Sequence, residues 1–226
     1  MSSSAKPPGG AAEVSVELLT PELPPARYAR LLDGIQALQA ANMVENINTE
    51  MALSEGYLTL AHSRPLLEAL ARRAPQVVLT SDDAVVGFSL TATPSLRDAD
   101  PSDAPAAALL NIYTKYFGVI DTLRRPTGAP LGAWAMGGQV CVARGWRRRG
   151  LLRRAYDAQR AALKDRGYDA LATAVDRANV PSLRAHLAAG FSIVADSQEI
   201  PSVAPPGALP EGATAGWAFV VQGTDD

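Results

Sequence analysis

Hydrophobic residues recur along this chain with two different periods, and the period separates strands from helices. Alternating or continuous apolar runs, bounded by Gly, Pro and Asp, predict strands at 14–19, 76–80, 84–93, 133–143, 168–175, 191–195 and 215–221. Apolar residues spaced three and four apart predict helices at 28–42, 64–73, 106–117, 150–166 and 180–189. The chain is therefore predicted to have a mixed α/β fold.

The segment 133–175 indicates how the sheet is built. The run 133–143 is apolar at nearly every position, which is typical of a strand covered on both faces. The helix 150–166 follows at once, Gly167 ends it, and another strand begins at Tyr168. A strand, a helix and a second strand of these lengths predict a right-handed crossover between neighbouring parallel strands.

Two segments follow neither period. The stretch 43–60 carries several Asn and Glu side chains, and we expect it to line a site. The segment 94–131 has five prolines around an apolar and aromatic centre. Such an insertion before the main strand is a natural place for an acceptor pocket or a lid. The alternative is a helix that only packs against the core.

Composition indicates one globular domain. With 226 residues, of which 47% are hydrophobic and 19% charged, the chain can bury a core of ordinary size. We expect residues 13–226 to form this domain. Residues 1–12 contain Ser, Pro and Gly but no apolar signal-peptide core, and we expect a disordered leader there. No run reaches the ~18 apolar residues of a membrane span, so we expect a cytoplasmic protein.

Basic residues concentrate in one turn, although the whole chain has a net charge of −2. Six of the eleven residues from Arg144 to Arg154 are arginine, between a predicted strand and the helix that follows it. The unpaired N–H groups and the dipole of a helix start favour an anion, and guanidinium groups bind phosphate oxygens. The turn therefore predicts a pyrophosphate site. The alternative is a solvated basic helix start.

A second segment, from Asn179 to Phe191, strengthens this interpretation. Asn179 is expected to cap the helix that follows it, and Gly190 to end that helix. The two segments, in this order and about thirty residues apart, resemble the acyl-CoA-binding half of the GNAT N-acyltransferase superfamily. The turn of that family, Arg/Gln-x-x-Gly-x-Gly/Ala, is matched here by Arg147 and Gly150, with Leu152 in place of the last small residue. In the family's later helix, Asn179, Ser182, Gly190 and Phe191 match, and His186 takes the position of a Tyr.

The resemblance covers roughly residues 76–195, and it is strongest toward an uncharacterised bacterial branch. It implies a single twisted mixed sheet flanked by helices on both faces, with acetyl-CoA as co-substrate and no metal. The diphosphate would lie on the main-chain amides of the turn, and the pantetheine arm would lie along a strand edge and against the Asn helix. The implied acyl-CoA-binding residues are Val140, Cys141, Val142, Arg147, Arg148, Arg149, Gly150, Leu151, Leu152, Arg153, Asn179 and Ser182.

The resemblance also implies catalytic roles. His186 stands where the family has the general acid for the departing thiolate, and an imidazole can serve near pH 7. A histidine on an apolar helix face can equally be a packed core residue, as we expect of His62. Cys141 has no His or carboxylate nearby in sequence, so direct attack of an amine on the thioester is favoured over a covalent thiol route.

The deprotonation of the amine needs a base or a chain of waters. The run 133–139 contains no carboxylate, which leaves Glu45, Glu50, Glu55 and Asp176 as candidates. Asp176 follows the end of a predicted strand and is favoured for that reason. A weak base suffices if the activity depends on positioning and electrostatics around an activated thioester.

The leading hypothesis is thus an enzyme that acetylates the primary amine of a small molecule or peptide. A binding-only acyl-CoA sensor is the first alternative, because the Tyr at 186 and a carboxylate on the main strand are both missing. A nucleic-acid-binding module is the second, although one basic helix start without interleaved aromatics argues against it. The sequence leaves the oligomeric state open, a homodimer included.

Overall fold

The computed structural model describes residues 13–198 and 215–224. The strands are β1 (Ser15–Leu19), β2 (Gln76–Ser81), β3 (Ala84–Ala92), β4 (Trp134–Val142), β5 (Ala170–Asp176), β6 (Ser192–Ser197) and β7 (Trp217–Gly223). The helices are α1 (Pro25–Ala40), α2 (Thr49–Glu55), α3 (Arg64–Arg73), α4 (Ala104–Ile120), α5 (Leu151–Lys164) and α6 (Val180–Ala188). Short 3₁₀ helices occupy Val44–Asn46, Pro94–Asp98 and Arg144–Trp146. The expected leader 1–12 lies outside the described residues, as does the proline-rich segment 201–212, for which the sequence predicts a loop.

The strands form one open mixed sheet in the order β1-β2-β3-β4-β5-β7-β6. Every pairing is antiparallel except that of β4 with β5, the two strands that α5 connects. The parallel connection predicted from the segment 133–175 is therefore confirmed, as is the mixed α/β architecture.

The β4–β5 pair separates after three residues. Trp134–Met136 pairs with Ala170–Ala172, and no further pairing is formed between the two strands. A bulge lies at the same point, because Leu90 of β3 faces Gln139 whereas Thr91 faces Gly137. Gly138 is thus an extra residue, and it bends the second half of β4 away from β5. The gap between these strands is the feature that creates the site.

Helices cover both faces of the sheet. On one face, α1, α3 and α4 pack against a core that includes Phe88, Leu90, Met136 and Phe219. On the other face, α5 packs against Ala135, Leu171 and Val220 and against the start of the sheet. Each sheet face is therefore buried, in agreement with the apolar character of the central strands. No helix in the described ranges is long and apolar enough to cross a membrane.

The differences from the sequence-based elements are small and local. Helix α1 begins at Pro25, earlier than expected, because Pro is accepted in the first turn of a helix. Helix α4 runs over Ala104–Ile120, where the Asp103 side chain caps it by accepting the Ala106 N–H at 3.2 Å. A bulge at Val86 interrupts β3, since Leu79 pairs with Gly87 and Thr80 with Val85.

The insertion 94–131 contributes both to the core and to a cavity. Ala106, Leu109 and Phe117 of α4 are buried in the main core, as the packing alternative expects. The opposite side of the same helix, with Asn111, Lys115 and Tyr116, lines a cavity. Helix α4 therefore packs on the core and lines a cavity, and both the acceptor pocket and the lid stay predictions.

Candidate active site

Two adjoining cavities occupy the gap between β4 and β5. The larger, of about 910 Å³, lies between the end of β4, the turn before α5 and helix α6. The smaller, of about 400 Å³, passes between the two strands toward α4. Four residues line both cavities, namely Tyr57, Leu58, Val140 and Ser182. A molecule extended along the larger cavity would therefore present its end to the smaller one.

The arginine-rich turn presents main-chain amides to the larger cavity. Arg148 and Gly150 both have positive φ, +60° and +73°, and α5 begins directly afterwards. After Arg147, the next amide that donates to a backbone carbonyl is that of Arg154, to Gly150 O at 3.0 Å. The N–H groups of residues 148–153 have no backbone acceptor among the described residues. Such a cluster of amides at a helix start binds anions.

The side chain of Arg147 faces the protein. Its Nε donates to Val142 O at 2.9 Å, and one Nη donates to Glu55 O and Oε2 at 3.0 and 2.8 Å. The other Nη donates to Asn42 Oδ1 at 2.6 Å. The Arg147 guanidinium thus links the end of α2 to the end of β4 through hydrogen bonds. The exposed cationic groups at the turn are Arg144, which pairs with Glu55, and Arg148, Arg149, Arg153 and Arg154.

The open edge of β4 is the second feature of the larger cavity. Ala143 N–H donates to Val86 O on β3, at 2.8 Å. Because backbone groups alternate between the two edges of a strand, Val140 and Val142 direct theirs toward the gap and Cys141 directs its own toward β3. Arg147 already binds Val142 O. The edge therefore offers Val140 N–H and C=O and Val142 N–H, a pattern that an extended amide-containing arm can pair with.

Asn179 connects the start of α6 with the segment around Tyr57, which lines both cavities. Its Oδ1 accepts the Ser182 N–H at 3.4 Å as an N-cap, and its Nδ2 donates to Tyr57 O at 2.9 Å. The capping role expected of Asn179 is thus seen in the structure. Its buried amide also holds the segment at Tyr57 against α6, and both Ser182 and Tyr57 line the two cavities.

His186 forms a buried pair with a tyrosine that the sequence analysis missed. His186 Nδ1 donates to Ser182 O at 2.7 Å, and Nε2 therefore accepts from Tyr156 Oη at 2.7 Å. Only 3% of His186 and 1% of Tyr156 are exposed, and both line the smaller cavity. Burial lowers the pKa of His186 to about 4 against the opposing effect of the Ser182 carbonyl. The imidazole is neutral at pH 7, and it orients the phenol.

The signal for Tyr156 was present in the sequence. It lies four residues after Leu152 on the apolar side of α5, where it reads as one more core residue. Only the crossing of α5 with α6 brings its hydroxyl to the position 186, where the resemblance expected a phenol. Burial raises the pKa of Tyr156 well above its usual value, so that the hydroxyl keeps its proton.

The candidate carboxylates separate into two groups. Glu45 and Glu50 line neither cavity, and Glu55 is held by Arg147 and by Arg144 Nε at 2.8 Å. Asp176 lines the smaller cavity, is 3% exposed and accepts the Ala178 N–H at 3.0 Å. Asp176 is the one carboxylate among the residues that line the smaller cavity.

His62 lines the smaller cavity and Cys141 lines the larger one, but neither side chain is placed to act as a nucleophile. His62 is bonded to Gln39 and to Tyr113 Oη, at 3.2 and 2.8 Å, and burial lowers its pKa to about 4. This arrangement agrees with the structural role expected of His62. Burial raises the pKa of the Cys141 thiol to about 12, more than the Arg147 charge lowers it. A neutral buried thiol disfavours a covalent thiol route.

These two histidines make the stability depend on pH. Both have a folded pKa of about 4, below the ordinary 6.5, so the unfolded chain binds more protons between these values. The stabilisation is complete above pH 6.5 and is lost as the pH falls toward 4. At pH 5 each histidine should lower the free energy of unfolding by about 2 kcal/mol. Urea denaturation at pH 7.5 and 5 measures this, and His62→Gln should remove about half of the difference. Equal stability at the two pH values would contradict the buried neutral imidazoles.

Comparison with solved structures identifies the fold. A variant of agmatine N-acetyltransferase matches with a TM-score of 0.55 at 11% identity, over 93% of this chain and 100% of that one. An N-acetyltransferase from Staphylococcus aureus matches with 0.53 at 13% identity, over 94% and 99%. The NatC complex bound to Gag peptide and CoA matches with 0.52 at 12% identity, over 93% and 98%. No family model and no curated protein matches the sequence. The chain has the fold of the GNAT N-acetyltransferases, as the sequence motifs indicated.

Proposed function

We propose that this protein is an acetyl-CoA-dependent N-acetyltransferase that acts on a primary amine. One observation carries the proposal. The unpaired amides of residues 148–153 and the open edge of β4 face the same cavity, and that cavity leads into a second one containing Asp176. A phosphate-bearing arm with peptide-like amides fits the first cavity, and an amine fits the second. The solved structures of the same fold include one that holds CoA.

The larger cavity fits CoA group by group. The amides of residues 148–153 would hold the diphosphate, and the exposed Arg148, Arg149 and Arg153 would add charge around it. The part-buried side chain of Leu152 lies on the apolar side of α5 and packs against the core. It therefore leaves the main-chain amides of the turn free to donate. The edge at Val140 and Val142 would pair with the pantetheine amides, and Ser182 would border the thioester where the cavities meet. Arg147 holds Glu55 and Asn42 in place behind the diphosphate site.

The smaller cavity contains the groups that the transfer requires. Asp176 would hold the acceptor ammonium and take its proton, directly or through water. The amine nitrogen then attacks the thioester carbonyl carbon; a C–N bond forms as the C–S bond breaks. The Tyr156 O–H, which donates to His186 Nε2 while the site is at rest, would turn to the departing sulfur and give its proton to that atom. The nitrogen loses its second proton as the amide forms, and that proton restores the phenol through solvent. The products are the N-acetyl amine and the free thiol, with the first proton on Asp176.

In this proposal, His186 acts through Tyr156. An imidazole with a pKa of about 4 carries no transferable proton on Nε2 at pH 7, because that nitrogen is the acceptor of the phenol O–H. The general acid expected at position 186 is thus proposed to be a pair, in which α5 supplies the proton and α6 supplies the orientation. The pair lines the cavity beside Ser182, near the place where a thioester would lie.

The first test is binding. Acetyl-CoA at a hundredfold excess over its dissociation constant should stabilise the protein by about 2–3 kcal/mol, because it binds only the folded chain. Thermal melts with acetyl-CoA, CoA and ATP measure this, with ATP as a phosphate-bearing control that lacks pantetheine. A melting temperature unmoved by millimolar acetyl-CoA would contradict the proposal.

The second test is turnover, and it separates the proposal from its alternatives. Thiol release from acetyl-CoA should depend on added amine, with the N-acetyl product detected by mass spectrometry. Acetyl-CoA binding without transfer to any amine would favour the sensor hypothesis. Salt-dependent DNA binding without CoA affinity would favour a nucleic-acid-binding module instead.

A further inference from the structure

The smaller cavity ends in a group of aromatic rings around Asp176. Asp176 of β5 lies directly opposite Trp217 of β7, so both side chains lie on the sheet face that α4 covers. The Trp217 ring meets the Tyr116 ring of α4 edge-on, with centroids 5.6 Å apart at 70°. All three side chains line the cavity, together with Tyr57. We refer to Tyr57, Tyr116, Asp176 and Trp217 as the aromatic pocket.

The charge at the centre of this pocket is negative. Asp176 is buried, and its carboxylate, after burial itself, raises the pKa of both Tyr57 and Tyr116, the latter to about 12. The two phenols therefore lie within the field of the same carboxylate and stay protonated. A carboxylate among aromatic rings attracts a cation by charge, and the ring quadrupoles add to this attraction where a ring face meets the cation.

A second observation indicates that a ligand group is expected here. The hydroxyl of Tyr57 is buried, with 6% of the residue exposed, and it has no hydrogen-bond partner among the described residues. Buried side-chain hydroxyls in native proteins are nearly always hydrogen-bonded. Tyr57 lines both cavities, so its hydroxyl can accept from an ammonium that reaches Asp176.

The mouth of the pocket has the opposite charge. Lys115 of α4 is exposed, lines the smaller cavity, and places Nζ 5.4 Å from the centroid of the Tyr116 ring. Asn111, one turn earlier on α4, lines the same mouth. When the ammonium of a ligand lies in the aromatic pocket, the distal end of that ligand therefore lies near the positive charge of Lys115.

We infer that the acceptor is a primary amine with a single positive charge, whose distal end is neutral or anionic, and that the aromatic pocket and Lys115 select it against diamines. This inference rests on the proposed function, and it adds the substrate class. The aromatic pocket holds the ammonium, the Tyr57 hydroxyl accepts one of its N–H groups, and Lys115 repels a second cation or pairs with a carboxylate.

A set of amines of equal length tests the charge selection. Pentylamine, 5-aminopentanoate and 1,5-diaminopentane share five carbons and one reacting ammonium, and differ in the charge of the far end. Binding is measured by calorimetry with and without saturating CoA, and kcat/KM by thiol release. We expect both pentylamine and 5-aminopentanoate to exceed the diamine by ~10-fold, which corresponds to about 1.4 kcal/mol.

The decisive variant is Lys115→Glu, which should reverse the order of the diamine and the amino acid. Lys164→Glu makes the same charge change at the far end of α5, outside the residues that line either cavity, and should leave the order unchanged. Tyr57→Phe should raise KM for the amine several-fold while the apo protein becomes no less stable, because the hydroxyl it removes has no hydrogen-bond partner in the described part of the chain.

Equal binding of the three amines, or an order that Lys115→Glu leaves unchanged, would overturn the inference. An unchanged amine KM in Tyr57→Phe would overturn the role of that hydroxyl. If the wild-type protein does not bind CoA, that result would contradict the proposed function instead. The amine binding measured without CoA would still decide which class of amine is selected.

Discussion

Gly150→Asp is expected to lower the affinity for CoA by ~100-fold or more, because charge-assisted hydrogen bonds to a phosphate contribute about 1.5–3 kcal/mol each. Gly150 has φ +73° immediately before α5, and a carboxylate there would occupy the space that the proposed diphosphate requires. The added anion would also compete for the amides of residues 148–153. Calorimetric titration with CoA, alongside a urea denaturation curve, measures affinity and folding on the same preparation.

Two control variants separate charge from backbone strain. Gly167→Asp makes the same change at a glycine with φ +80°, beyond the opposite end of α5, where an added Cβ also meets no atom within 4 Å. It should cost a similar ~1–2 kcal/mol of stability and leave CoA affinity intact. Gly150→Ala adds the strain without the anion and should retain most of the affinity. Unchanged CoA affinity in Gly150→Asp would show that the turn is not the phosphate site.

Tyr156→Phe is expected to lower kcat by ~10²-fold with little change in acetyl-CoA affinity, as for the loss of a general acid. The variant removes one oxygen from a buried site and leaves the neutral His186 without its donor. Single-turnover acetyl transfer, a CoA titration and a melt on each preparation separate chemistry from binding and folding. The solvent deuterium isotope effect on transfer should also fall, to the part that comes from proton transfer to Asp176.

Tyr168→Phe is the matched control, because Tyr168 precedes β5 and lines neither cavity. A Tyr156→Phe enzyme with full single-turnover rate would leave protonation of the thiolate to solvent. In that case the phenol would be a packing residue.

The same experiment on His186 tests whether it acts through Tyr156. His186→Ala should lower kcat ~10²-fold or less, and His186→Gln should recover part of the loss, because its amide oxygen can accept from the phenol. The rate of the wild-type enzyme should show no inflection near pH 6.5 from this residue, since burial lowers its pKa to about 4. Full activity in a destabilised His186→Ala protein would make His186 a core residue only.

The sequence predicted the parts of this protein that depend on local order. Hydrophobic period located the strands and all the longer helices, because side-chain spacing reports directly on which face is buried. The turn at Gly150 and the cap at Asn179 were equally readable, since both depend on the conformation of a few consecutive residues. From these elements the mixed sheet and its resemblance to the GNAT fold followed.

Some functions assigned to single residues could not be read in this way. The guanidinium of Arg147 was expected near the phosphates, yet its donors bind Glu55 and Asn42, which are far away in sequence. Similarly, three of the four candidate carboxylates could be set apart from Asp176 only after the cavities were known. A side chain's partner is decided by which elements meet, and periodicity carries no information about that.

Tertiary structure alone decided how the site is assembled. The bulge at Gly138 opens the gap between β4 and β5, and α5 crosses α6 so that Tyr156 meets His186. The pairing of β5 with β7 sets Trp217 beside Asp176, although forty-one positions separate them in the chain. Local sequence determines the elements because their hydrogen bonds and buried faces are local. The site depends on contacts between distant segments, and these exist only once the sheet has formed.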